Sequence, residues 1–133
     1  MTNNQNVFTH QHTYHVIDYI KKKYQDKPEF LWQRSPKNAI FRRKDNQKWY
    51  AVLLTISKEK LGLNSNEIID ILNLKMDKTD IEFMVDRKKY FPGFHMNKKH
   101  WITICLDGSV PLKDILHRLD ESYLLTTNKK PPK

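Results

Sequence analysis

The stretch NAIFRRKDNQKWYAVLLTIS, Asn38 to Ser57, decides the fold. Two apolar blocks, NAIFRR and KWYAVLLTIS, flank the short polar segment KDNQ. That arrangement predicts a β-hairpin, since β-branched and aromatic runs broken by a few turn residues pair with their own neighbours. A hairpin makes the first two strands antiparallel, and the segments on either side have to fit that sheet.

Upstream, Val16, Ile17, Ile20 and Tyr24 recur at helical spacing between Thr9 and Gln25, with Thr9 or Thr13 as the expected N-cap. Lys21, Lys22 and Lys23 fall in the last turns, where positive charge complements the helix dipole. Pro28 disfavours helical geometry at Lys27 and ends the element. Downstream, NEIIDILNLKM (Asn66 to Met76) reads as a third strand. Alternation puts Ile68, Leu72, Leu74 and Met76 on one face with Asp70 as a misfit, and Ile69, Ile71, Asn73 and Lys75 on the other. Asp77 is placed to cap a short helix over Thr79 to Arg87, with Ile81, Met84 and Val85 inward.

His100 to Leu106 reads as a further strand, with His100, Ile102, Ile104 and Leu106 on one face and Trp101, Thr103 and Cys105 on the other. After Ser109 and Pro111, the residues Leu112, Ile115, Leu116, Leu119 and Tyr123 give a last helix one apolar face. The expected order is α-β-β-β-α-β-β-α, with one or two strands before the last helix. Hairpins dominate and no parallel crossover is required, so the fold class is α+β: a two-layer antiparallel sheet with helices on one face.

The chain of 133 residues suits a single domain, with a core over about residues 9–126 and flexible polar ends at 1–8 and 127–133. Its apolar runs are too short to cross a bilayer, and MTNNQNVFTH has neither a basic start nor an apolar signal core. A cytoplasmic protein without membrane association is expected. The single cysteine, Cys105, rules out an internal disulfide and reads as a buried hydrophobe.

The net charge of +9 favours polyanions, and its 19 lysines against 5 arginines suit phosphate contact better than the reading of base edges. Two basic clusters carry it. RSPKNAIFRRKDNQK holds Arg34, Lys37, Arg42, Arg43, Lys44 and Lys48 against one acid, Asp45. DRKKYFPGFHMNKKHW holds Arg87, Lys88, Lys89, Lys98 and Lys99 against Asp86, interleaved with Tyr90, Phe91, Phe94 and Trp101. Such aromatics suit base or sugar stacking, although the plainer reading makes them core residues and the lysines a solvated rim.

Metal binding and catalysis find less support. His95 and His100 are five apart without an intervening carboxylate, and of His10, His12 and His15 only the last two share a helical face. Neither set supplies the three or four ligands that zinc requires, so no metal and no cofactor is expected. Asp107 and Lys98 lie close in sequence to the histidines, but there is no nucleophile elbow, phosphate loop or HExxH. No catalytic residue and no enzymatic activity is expected.

PEFLW, FRRKDNQKWYAVLLTI, NLKMD, PGFHMNKKHWITICLDGSVP and ESYLLT resemble, in order, the MmcQ/YjbR family over about His10 to Thr127. The resemblance implies an α-β3-α-β2-α fold, similar to frataxin-like and secretion-chaperone-like architectures, and DNA binding of a "double wing" type. Frataxins present an acidic iron-binding ridge; this chain is basic, so iron handling does not carry over. Secretion chaperones bind partner proteins as dimers, which keeps a protein partner open. By position the motif covers Trp32, Arg42, Lys48, Trp49, Lys75, His95, Asn97, Lys98, His100, Trp101 and Asp107.

Weak, salt-sensitive DNA binding is the leading expectation, through Arg42, Arg43, Lys48, Lys75, Lys98 and Lys99, with hydrogen bonds from Asn97 and His100. The alternative is a protein-interaction or small-ligand module with a pocket around Trp101 and Lys75, near His95, Trp49 and Asp107.

Overall fold

The computed structural model describes residues 10–32 and 37–127. The expected cap at Thr9, the ends 1–8 and 128–133, and Arg34 of the first basic cluster fall outside the described residues. The elements follow the expected order: α1 (Gln11–Tyr24), β1 (Ala39–Arg42), β2 (Trp49–Ser57), β3 (Ile68–Lys75), α2 (Lys78–Met84), β4 (Tyr90–Pro92), β5 (Trp101–Cys105) and α3 (Leu112–Leu125). A short 3-10 turn, Lys58–Leu61, joins β2 to β3. Among the described residues no helix is long and apolar enough to cross a membrane.

The five strands form one sheet in the order β1-β2-β3-β5-β4, every neighbouring pair antiparallel. β5 therefore inserts between β3 and β4, which no reading of consecutive hairpins supplies. The helices cover one face. There Phe41, Leu53, Leu72, Leu74, Ile102 and Ile104 pack against Val16, Ile20, Ile115 and Leu119, all fully buried. The other face carries Ile40, Val52, Ile71, Phe91, Trp101 and Cys105, partly covered by Leu61, Leu63, Phe94 and Met96 from the connections. With both faces covered, the central strands read as near-continuous apolar runs instead of strict alternation.

Five local expectations change. Thr13 does not cap α1; His10 does, its Nδ1 accepting from the His12 amide at 3.0 Å. Asp70, the misfit of the third strand, is fully buried on the helix face, where its carboxylate accepts from the Thr13 hydroxyl at 2.7 Å and the Thr55 hydroxyl at 2.9 Å. Ile68, read as inward, begins β3 and stays 52% exposed. His100, read as sharing the inner face with Ile102, precedes β5 and is exposed, while its carbonyl accepts from the Met76 amide at 3.0 Å. Asp77 precedes α2 but makes no side-chain cap.

Candidate functional site

Antiparallel pairing sets the site. β1 ends, β2 begins, β3 ends and β5 begins at one end of the sheet, where Arg42 pairs with Trp49 and Lys75 with Trp101. The β1–β2 turn and the segment from Gly93 to His100 meet that same end. Sequence separation thus conceals a cluster holding almost every predicted residue. Asp107 is the exception. It follows β5 at the opposite end, accepts from the Ser109 amide and hydroxyl at 3.0 and 2.6 Å, and lies 3.6 Å from Lys58.

The segment after β4 is built as a clamp. Asn73 and Thr103 are buried register partners on the face away from the helices. The Asn73 amide donates to the Phe94 carbonyl at 2.9 Å, the Phe94 amide donates to the Thr103 hydroxyl at 2.8 Å, and that hydroxyl donates to Asn73 Oδ1. Gly93 comes so close to β5 that a Cβ there would lie 2.7 Å from Trp101 Cβ. His95 adopts a left-handed backbone with φ 59°, an uncommon conformation for a residue with a side chain. Asn97 closes the next turn: its Oδ1 accepts from the Lys99 amide at 2.9 Å and its carbonyl from the amides of His100 and Trp101. The Asn97 acceptor is therefore engaged within the turn, against the ligand-facing role that the sequence suggests.

Several predicted cations are also engaged internally. The Arg43 guanidinium makes a bidentate pair with Asp45 at 2.9 Å, donates to the Tyr123 carbonyl at 2.7 Å and lies 4.0 Å from the Tyr123 ring centre. At 7% exposed, it holds the β1–β2 turn to the end of α3 and is not offered outward. Arg42 pairs with Glu29 at 2.9 Å, Lys44 with Asp26 at 2.7 Å, and Lys98 donates to the Gly93 carbonyl at 3.1 Å. Among the described residues, Lys48, Lys75 and Lys99 form no ion pair, and they are the predicted lysines left unengaged at this end, with His100 exposed beside them. Arg87, Lys88 and Lys89 are exposed before β4, whose Tyr90 pairs with Ile104, and so project toward the other end of the sheet.

Two hollows flank Trp49. One, of about 390 Å³, is lined by Trp32, Asn38, Trp49 and His95, with Val52, Leu54 and Met96 beneath. Its two indoles stand nearly perpendicular, with ring centres 6.2 Å apart. The other, of about 440 Å³, is lined by Gln47, Lys48, Trp49, Lys75 and Trp101, with Leu125 and Thr126 from the end of α3. Lys75 Nζ lies 5.1 Å from the Trp101 ring centre, a cation–π contact. Burial, reinforced by the neighbouring positive charge of Lys48, lowers the Lys75 pKa below its ordinary value.

Nothing comparable forms around the other candidate chemistries. Burial pushes the Cys105 thiol up to about 12, with Asp107 adding to the effect, so thiolate is scarce near neutrality. The rings of His10 and His12 are 4.9 Å apart and those of His12 and His15 are 6.4 Å apart. Among the described residues, however, no three His, Cys, Asp or Glu side chains gather to hold a metal ion. Sequence reasoning missed Asn38, Met96, Leu125 and Thr126 as lining residues, and Asn73 and Thr103 as the clamp. A polar pair within otherwise apolar strands was the only available signal for the clamp.

A sequence model of the YjbR family matches residues 21–125. The uncharacterised protein YyaQ of Bacillus subtilis is 35% identical over 111 residues, covering 84% of this chain and 94% of that protein. A crystal structure of a Pseudomonas syringae protein superposes with a TM-score of 0.80 at 38% identity, covering 95% of this chain and all of that one. A Deinococcus radiodurans protein with a DUF419 domain superposes with a TM-score of 0.63 at 26% identity, covering 88% of this chain and 82% of that one.

Proposed function

The chain belongs to the YjbR family, and from that premise we propose that it is a non-enzymatic, cytoplasmic DNA-binding protein that holds the phosphate backbone at the basic end of its sheet. One observation carries this reading: Lys48, Lys75 and Lys99 converge there from three separate segments, and none has a carboxylate partner among the described residues. Unneutralised lysines on an accessible rim suit phosphates, which fix position without specifying sequence. The net charge of +9 adds a long-range attraction to the same polyanion. Arg42 is half-exposed and becomes available only if its pair with Glu29 opens.

Three neutralised phosphates give an expected slope of log affinity against log salt of about −2.7, at about −0.9 per contact. Fluorescence anisotropy with a labelled duplex at low and moderate salt tests this. Binding that weakens along that slope supports the proposal, and no binding at low salt removes it.

A second reading rests on the hollow where Lys75 lies against Trp101. A partly desolvated ammonium beside an indole suits a small anionic ligand or an acidic side chain of a protein partner. Binding of small carboxylates or phosphates without any binding of DNA would favour it.

A further inference from the structure

We propose that the hollow between Trp32 and Trp49 receives one unpaired nucleobase, making single-stranded DNA the preferred ligand; this inference rests on the DNA reading above. The two hollows share Trp49 as a common wall. An aromatic recess thus adjoins a groove carrying two lysines that form no ion pair, the pattern of a base and its flanking phosphate. Trp32 remains 37% exposed although it lies against Trp49, and it lines the hollow, so part of its indole is accessible without unfolding anything. Base–aromatic stacking tolerates any sequence, because every base presents a π-face.

The polar lining fits the same occupant. Asn38 Oδ1 accepts from the Thr55 amide at 3.2 Å, and among the described residues the Asn38 side-chain NH2 makes no hydrogen bond. It can therefore donate to a ring nitrogen or carbonyl of a base. His95 is held at the rim by its left-handed backbone, with its ring 4.1 Å from that of Phe94. An intact duplex keeps its bases stacked and would have to extrude one to fill this recess, whereas a single strand presents them freely. The lysines then act on the backbone whichever base is inserted.

The test exploits the placement of all three tryptophans, Trp32, Trp49 and Trp101, in these two hollows. Intrinsic fluorescence and anisotropy are followed while oligothymidylate of about twelve nucleotides, or a blunt duplex of the same length, is titrated into the full chain. The single strand is expected to quench fluorescence and bind about tenfold more tightly than the duplex. Trp32→Ala is expected to weaken single-strand binding about tenfold and duplex binding much less, while Trp32→Phe retains most of the affinity. Circular dichroism verifies that both variants fold.

A wild-type protein that binds the duplex as tightly as the single strand overturns the base recess and leaves the phosphate reading standing. So does a Trp32→Ala variant with unchanged single-strand affinity, or with equal losses on both ligands. Failure of the wild type to bind either DNA removes both readings.

Discussion

Asn73 and Thr103 face each other across β3 and β5, and between them they hold both the carbonyl and the amide of Phe94. The three groups form a closed set, since the Thr103 hydroxyl also donates to Asn73. Buried polar groups stabilise a structure only when all are satisfied, and here each one is. This set fixes the segment from Gly93 to His100 against the sheet and gives the site its shape.

Asn73→Leu leaves the Phe94 carbonyl without its donor and Thr103 without its acceptor in a buried setting. A loss of about 1–3 kcal/mol in urea unfolding is expected. Hydrogen exchange at the Phe94 amide should accelerate beyond what that loss predicts for the rest of the sheet. Unchanged stability and exchange would show that the segment is held by its apolar contacts alone.

Gly93→Ala tests the same segment from the other side. The added Cβ would lie 2.7 Å from Trp101 Cβ and 2.9 Å from its carbonyl oxygen, and neither belongs to a side-chain end free to move. Overpacking of this kind costs about 1–3 kcal/mol, read as a lower urea midpoint. The tryptophan emission should shift as well, because Trp101 must move to accommodate the methyl. A midpoint equal to that of the wild type would mean that β5 and the segment separate easily.

Much of this architecture was legible in the sequence, for local reasons. KDNQ between two apolar blocks is sufficient to make β1 and β2 a hairpin, and the spacing from Leu112 to Tyr123 is sufficient to make α3 a helix with one buried face. Parity assigned most of β3 and β5 to their faces. Asp70 reads as a misfit in the strand because its partner Thr13 lies 57 residues away, beyond any spacing rule. The site was legible in its residue types and less so in their roles. Arg42, Arg43, Lys44 and Lys48 look alike in the chain, yet tertiary contacts with Glu29, the Tyr123 carbonyl and Asp26 engage the first three and leave Lys48. Lys75 and Trp101, named together as a pocket, are indeed register partners, but their adjacency depends on β5 inserting beside β3.

Asp86 provides a pH test of the loop before β4. The backbone amides of Lys89, Tyr90 and Lys88 all donate to its Oδ1 and hold the carboxyl down to about 2, against an ordinary value of 3.8. A depressed folded-state pKa means that the associated stabilisation is fully present above 3.8 and declines as pH falls toward 2. Solvent screening keeps the energy small at this exposed position, so the titration itself is the better observable. The carboxyl resonance of Asp86 should titrate with a midpoint near 2, and Asp86→Asn should accelerate exchange at the three amides. A midpoint near 3.8 would show that the loop is open in solution.

Arg43 and Lys48, at either end of the same turn, should separate stability from binding. Arg43→Gln removes the bidentate pair with Asp45, the bond to the Tyr123 carbonyl and the contact with the Tyr123 ring. Buried charged hydrogen bonds of this kind contribute about 1–3 kcal/mol, so the urea midpoint should fall. The folded variant should keep the wild-type salt slope for DNA, since Arg43 presents no charge to a ligand. Lys48→Gln alters an exposed side chain with no ion pair, and stability should change by no more than about 0.5 kcal/mol. Its effect should fall on binding, with the salt slope reduced in magnitude by about 0.9, the signature of one lost phosphate contact. If Arg43→Gln reduces the slope and Lys48→Gln does not, the turn must rearrange on binding, and the cationic set assigned to the free protein would not be the one that meets DNA.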